Sequence, residues 1–369
     1  MHCFLVKEDH IPRRARFPAI DAHNHLWAAW DTVDNVVKVM DEVGVAAYCD
    51  LTANIEIQWV KGGYEFRAGD IQAFFDNTVR RHPGRFYGFT TATFARPVDE
   101  PLFHDARAFV EETVEILRDH VRRGARGLKI LKELGLRYRD RGGNLIRVDD
   151  ERLAPVWEEA GRLGIPVLMH QADPCGFFEP VTPENEHYES LKKYPSWSFA
   201  DPKFPRRKEL LERRDRLLGN HPRTTFMLAH VANFPEHLRY VAQLLDQHPN
   251  AFIDFSARAD ELGRQPYSAR EFMIKYQDRI CFGTDMPASA AMYRFYFRFL
   301  ETFDEAFIPP DYDGTFERYR WRICGLGLPD PVLEKIYYRN ALKLVPGLEQ
   351  DVRLSRDTTP GNLKEQEKP

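Results

Sequence analysis

Eight short runs of β-branched and aromatic residues, with helical stretches between them, recur along the 369-residue chain, and this repeat limits the possible folds more than any other feature. The runs are Ala19 to Leu26, Ala46 to Ala53, Phe86 to Thr93, Ala125 to Leu131, Pro166 to Ala172, Thr225 to Val231, Ala251 to Ala257 and Ile280 to Met286. Each is apolar enough to be covered on both faces, as strands of a parallel sheet are. Eight such units predict a closed (β/α)8 TIM barrel forming a single α/β domain over residues 19–350. An open doubly wound sheet is the alternative. Residues 1–18 read as an N-terminal extension, and the polar segment 351–369 as a disordered tail.

Two connections exceed the usual few residues: Asp173 to about Pro205 after the fifth run, and Met286 to about Pro331 after the eighth. The first carries Phe177, Phe178, Tyr188, Tyr194, Trp197 and Phe199, enough aromatic surface to pack on itself as a lid. Three helix-to-strand joints repeat a His-Pro pair, at His82, His221 and His248. A His there meets the negative end of the helix dipole and the Pro stops the helix, so these histidines read as structural.

A formal charge of -4 and the absence of a basic stripe exclude nucleic acid and anionic membranes as expected partners, leaving a small-molecule substrate. Five cysteines without a Cys-x-x-Cys pair suit a reducing cytoplasm. Met1 to Pro18 holds no apolar run of signal-peptide length, and no 18-residue apolar stretch occurs. Nothing in the sequence specifies an oligomeric state.

The chemistry-bearing residues fall at the C-terminal ends of the runs, the catalytic face of a barrel. In Asp21-Ala22-His23-Asn24-His25 the two-residue strand period puts His23 and His25 on one side. His170 ends the fifth run and Asp285 the eighth, in Gly283-Thr284-Asp285. A closed barrel makes the first and eighth strands neighbours and sets the fifth across a narrow mouth. His23, His25, His170 and Asp285 are therefore the expected ligands of one divalent metal ion, zinc first and manganese next. A lone His on any of these strands would read instead as a hydrogen-bonded core residue.

With His230 ending the sixth run, this set resembles the amidohydrolase superfamily, in its amidohydrolase-related branch of muconate-type decarboxylases and sugar or pyrone lactonases. The likeness runs from about Ile20 to Pro346 and includes Tyr338-Arg339-Asn340-Ala341. It implies a barrel, a divalent metal and a metal-bound water as nucleophile. It also implies a proton-transfer role for His230, whose plain alternative is a hydrogen-bonding role beside the ligands. Asp285 next to bound water is a second proton acceptor.

Lys129 alternates onto the face of Gly127 and Leu131, and an inward ammonium needs an anion. Other branches carry a carboxylated Lys on the fourth strand; here a substrate-binding or ion-paired Lys129 and a mononuclear site are expected. Lys132, one residue past the strand, reads as solvated. Arg258 follows Asp254 and Ser256 in the inward register and reads either as a clamp for a substrate carboxylate or as a salt bridge to Asp254, Asp260 or Glu261. Trp27 reads as pocket wall. His2, His10, His104, His120, His187 and His237 read as solvent-facing, and Cys175 has no local His partner. The leading reaction is hydrolysis of a small lactone, ester or amide carrying a carboxylate. Non-oxidative decarboxylation is the close rival, and a barrel that binds without catalysis is the third.

Overall fold

A computed structural model describes residues 10–27, 31–60, 63–308 and 321–351. The proposed tail beyond Asp351, and His2, lie outside the described residues. Ten strands occur among them: β1 Ala19–Asn24, β2 Val45–Asp50, β3 Ile55–Val60, β4 Gly63–Ala68, β5 Phe86–Gly88, β6 Leu128–Ile130, β7 Val167–Met169, β8 Phe226–Leu228, β9 Ala251–Asp254 and β10 Ile280–Cys281. All pair in parallel except β3 and β4, which form an antiparallel hairpin.

The parallel strands run in two arcs, β1-β2-β5 and β6-β7-β8-β9-β10. Backbone bonds join the arcs at both seams. At one, Thr90 N–H donates to Gly127 and Lys129 N–H to Thr90, at 3.0 and 2.8 Å; at the other, Ala22 N–H donates to Phe282 and Asp285 N–H to His23, at 3.0 and 2.8 Å. The expected (β/α)8 barrel is the fold, and the open sheet is excluded. Gly283 is required at the second seam, because a Cβ there would come within 2.8 Å of the His23 Cβ.

Two apolar layers follow from strand alternation. Ile20, Ala22, Cys49, Phe89, Leu168, Met227 and Cys281 fill the barrel, while Ile130, Ile253, Phe255 and Phe282 face outward into the layer under the helices. Helices 33–43, 106–123 and 290–301 begin at Thr32, Asp105 and Ser289, whose side chains accept from backbone N–H groups of the first turn. His221 and His248 cap the ends of helices 207–220 and 238–247, where the His-Pro repeat put them.

The lid after β7 contains three short helical turns, at 175–178, 188–193 and 195–197. Its aromatics do pack on one another, Trp197 stacking on Tyr194 and Phe177 with ring centroids at 4.4 and 6.0 Å. The hairpin β3–β4 was not anticipated, although Ile55 to Val60 and Tyr64 to Phe66 flank a Lys-Gly-Gly turn signal. No described helix is long and apolar enough to cross a membrane.

Candidate metal centre

The strands end one to five residues sooner than the apolar runs suggest, because the chain turns sharply where it carries polar groups. His230 and Asp285 sit at φ 59° and 51°, and Ala257 at 49°, left-handed conformations that cost non-glycine residues about 1 kcal/mol or more each. The seam bonds and an aspartate network hold the Asp285 turn. Asp21 accepts from Thr284 N–H (3.1 Å), Thr284 Oγ1 (2.6 Å), Asn24 Nδ2 (2.9 Å) and the Tyr293 hydroxyl (2.8 Å). Burial raises its carboxyl to about 6 despite these bonds.

Three imidazoles share one arrangement. His23 Nδ1 donates to Asp254 Oδ2 at 2.8 Å. His25 Nδ1 lies 2.9 Å from Thr52 Oγ1, whose own proton goes to Asp50, so the imidazole donates. His230 Nδ1 donates to the Ser256 carbonyl at 2.8 Å. Each Nδ1 thus carries the proton, and each Nε2 presents a lone pair. Burial, the largest cause, holds all three well below the usual imidazole range, in the neutral form a metal needs. The three Nε2 atoms converge on Asp285, at 3.8 Å from His23, 3.4 Å from His25 and 3.6 Å from His230.

His23, His25 and Asp285 offer donor atoms all within 4.8 Å of one another, and His23, His230 and Asp254 form a second such group. The buried His230 Nε2 has no hydrogen-bond partner among the described residues. An orphaned lone pair on His230 among imidazole nitrogens converging on a carboxylate suits a divalent cation. Asp254 is less suited to be a ligand. Its Oδ1 accepts from His230 N–H, Ser256 N–H and Ser256 Oγ, and its Oδ2 from His23. It fixes the His23 ring by its far side and the His230 backbone by its N–H, a role that the sequence reading did not give it.

His170 is placed differently from the other expected ligands. Its ring lies 4.4 Å from that of His230, but its Nε2 donates to Asp173 Oδ1 at 3.2 Å, so its lone pair is on Nδ1, and it belongs to neither group. Lys129 is buried on the barrel interior with Nζ 3.2 Å from His23 Nε2; burial lowers it to about 8 against the fields of Asp285, Asp254 and Glu133.

A cavity of about 120 Å3 opens over this centre. Trp27 forms wall as expected, its ring centroid 5.1 Å from that of His25, alongside Tyr64 and Phe66 of the hairpin and Phe177 and Trp197 of the lid. Opposite stands a charged group, Lys132, Asp173 and Arg258. Lys132, read as solvated, is in fact buried and pairs with Asp173 at 2.6 Å, because the lid covers it and its ammonium must meet a carboxylate there. Arg258 is likewise buried rather than exposed at the mouth. It lies 3.7 Å from the same Asp173, not in contact range of Asp254, while Glu261 and Asp260 act on it through their fields. Burial alone would raise the Asp173 carboxyl, but Lys132, His170 and Arg258 hold it well below the usual range. His187 is buried against Phe177 and Trp321, and His120 is half-buried at 2.7 Å from Thr90 Oγ1; neither faces solvent as read. Cys175 has its thiol raised to about 12 by burial and Glu236, which removes any nucleophilic role.

A barrel with nitrogen and oxygen donors gathered at the C-terminal rim, beneath a lidded cavity, has the layout of a barrel enzyme with a candidate metal site. The profile of the amidohydrolase family matches residues 20–347, and the chain belongs to that family as an amidohydrolase-superfamily enzyme. No curated protein matches the sequence. Solved structures share the fold at low identity. A dihydroxybenzoic acid decarboxylase of Polaromonas sp. JS666 with bound manganese is 15% identical, with 89% of this chain and 96% of that one covered and a TM-score of 0.51. A 2,6-dihydroxybenzoate decarboxylase of Rhizobium is 16% identical over 89% and 98%, also at 0.51. A TIM-barrel protein of Bordetella bronchiseptica is 16% identical over 85% and 82%, at 0.50.

Proposed function

We propose that the protein is a metal-dependent hydrolase of a small lactone, ester or amide that carries a carboxylate. His23, His25 and Asp285 would hold the ion, with His230 beside them. A divalent ion there would polarise a substrate oxygen and acidify water. Zinc fits the nitrogen-rich donor set and manganese is the alternative, the metal bound by the Polaromonas decarboxylase.

The observation that carries the reading is the protonation state of His230. Its proton is committed to the Ser256 carbonyl, so Nε2 can only accept, and it points at Asp285, a second acceptor. Two bases facing one position serve to remove a proton from water. Lys129 and Arg258 are the cations for the substrate carboxylate, and Trp27 with the lid aromatics would flank a planar body.

Decarboxylation is the second reading, favoured by one feature. The buried Lys129 ammonium lines the cavity and is a proton donor within reach of a vacated carbon. Incubation with lactones, esters and amides, and separately with aromatic and muconate-type acids, while following labelled oxygen from water and carbon dioxide release, separates the two. Label entering the product supports hydrolysis. Carbon dioxide release, with solvent hydrogen at the vacated carbon and no turnover of lactones or amides, overturns it.

A further inference from the structure

A second cavity, of about 400 Å3, adjoins the metal-centre cavity of about 120 Å3, and Tyr64, Phe66, Lys132 and Trp197 line both. These four side chains therefore stand between the two spaces. Two of them have other duties: Lys132 pairs with Asp173 at 2.6 Å, and Trp197 is stacked in the lid on Tyr194 and Phe177. Tyr64 and Phe66 are held differently.

Both come from β4, where alternation turns them to the same face of the hairpin as Ile57, the partner of Phe66 across the strands, and all three line the inner cavity. The other face, with Glu56, Glu65 and Arg67, is exposed. A two-stranded hairpin is marginal by itself in water, so this one depends on laying its apolar face over the barrel mouth. The rings of Tyr64 and Phe66 meet with centroids at 5.5 Å, and Lys132 Nζ stands 5.9 Å from the centre of the Tyr64 ring. Burial raises the Tyr64 phenol well above its usual range, and the fields of Glu133, Asp173 and Asp285 add to the rise. The wall is therefore uncharged at any working pH.

Volume decides what such a wall does. A dry cavity of about 150 Å3 holds benzene, so a space of about 120 Å3 suits one ring, and a second ring would need the room beyond Tyr64. We propose that Tyr64, backed by Phe66, is the specificity-determining partition of the substrate site: it confines the substrate to a single ring, and without its side chain the inner cavity runs into the second. The proposal rests on the reading of the inner cavity as the site for a carboxylate-bearing planar body. The discrimination is steric, a clash with the longer ligand rather than an added attraction for the shorter one.

Calorimetric titration of the purified metalloprotein with two pairs of probes tests this: benzoate with biphenyl-4-carboxylate, and the neutral acetophenone with 4-acetylbiphenyl. In the parent, the one-ring member of a pair should bind at least about tenfold tighter than the two-ring member. In Tyr64→Ala that ratio should fall at least about tenfold, through tighter binding of the two-ring member. Tyr64→Phe keeps the ring and should keep the preference, which a role for the hydroxyl would not. Phe66→Ala should shift the ratio in the same direction by less, and serves as the test if Tyr64→Ala does not fold. A preference found in the neutral pair alone, with neither acid binding, would leave the partition standing and overturn the carboxylate reading. Equal affinities within the pairs in the parent, a ratio unchanged in both alanine variants, an equal loss of preference in Tyr64→Phe, or no binding of any probe would overturn the partition.

Discussion

The two walls of the inner cavity are built on different principles. On the metal wall, His23, His25 and His230 are each fixed from behind by neutral or structural partners, Asp254, Thr52 and the Ser256 carbonyl, so their Nε2 atoms point inward without needing one another. On the opposite wall, Lys132, Arg258 and His170 are arranged around Asp173. The first wall is preorganised for a cation. The second is a charge network in which Lys132 and Arg258 share Asp173, with Glu261 and Asp260 acting on Arg258 through their fields.

The sharpest way to break this contrast is Asp285→Asn. It removes a proton acceptor and a metal donor from a turn fixed by other residues, so kcat should fall on the order of 10²–10⁴-fold with little change in melting temperature. A fall of less than tenfold would remove Asp285 from the chemistry. Next in size is Asp254→Asn. It replaces none of the expected ligands, yet it weakens the anchor of the His23 proton, and metal affinity should drop about 10–100-fold. Unchanged affinity in a metal-buffered titration would show that the far side of His23 does not matter.

On the second wall, Arg258→Ala should raise KM for a carboxylate-bearing substrate about tenfold while leaving KM for the corresponding neutral ester nearly unaltered. Because Arg258 is buried, a loss of about 1–3 kcal/mol in stability is expected as well. Equal effects on both substrates would make Arg258 a structural cation only.

The smallest effect concerns Asp31, whose side chain accepts from Ala288 N–H and whose carboxyl burial raises to about 7. The folded state therefore holds this proton more tightly than the unfolded chain, and stability from Asp31 is fully present below about pH 4 and lost as pH rises toward 7. Asp31→Asn should raise the melting temperature at pH 8 relative to the parent and not at pH 4. The opposite pattern would mean that ionised Asp31 is stabilised by its hydrogen bonds.

The barrel was legible because its eight apolar runs repeat at the spacing of βα units, and the gathering of His23, His25, His230 and Asp285 at one rim follows from their ending those runs; His170 ends a run too, yet joins neither donor group. Three things were not legible. Alternation continued past the strand ends could not foresee left-handed backbone at His230 and Asp285, which re-aims those side chains. It also could not foresee that a lid would bury Lys132 and Arg258, since burial there depends on contacts with residues from Phe177 to Trp197, distant in sequence. Asp254 was read only as an inward residue and a salt-bridge partner for Arg258, because only the closed barrel brings it to His23, 231 residues away. The hairpin carries a signal of its own in the sequence, the Gly-Gly turn between Ile55 to Val60 and Tyr64 to Phe66.

The central claim is that His23, His25 and Asp285 hold one catalytic ion. Elemental analysis of the purified protein beside a His23→Ala, His25→Ala double variant, both confirmed folded by circular dichroism, tests it most directly. The account predicts about one zinc or manganese per parent chain and less than a tenth of that in the variant; equal metal in the two proteins would contradict it.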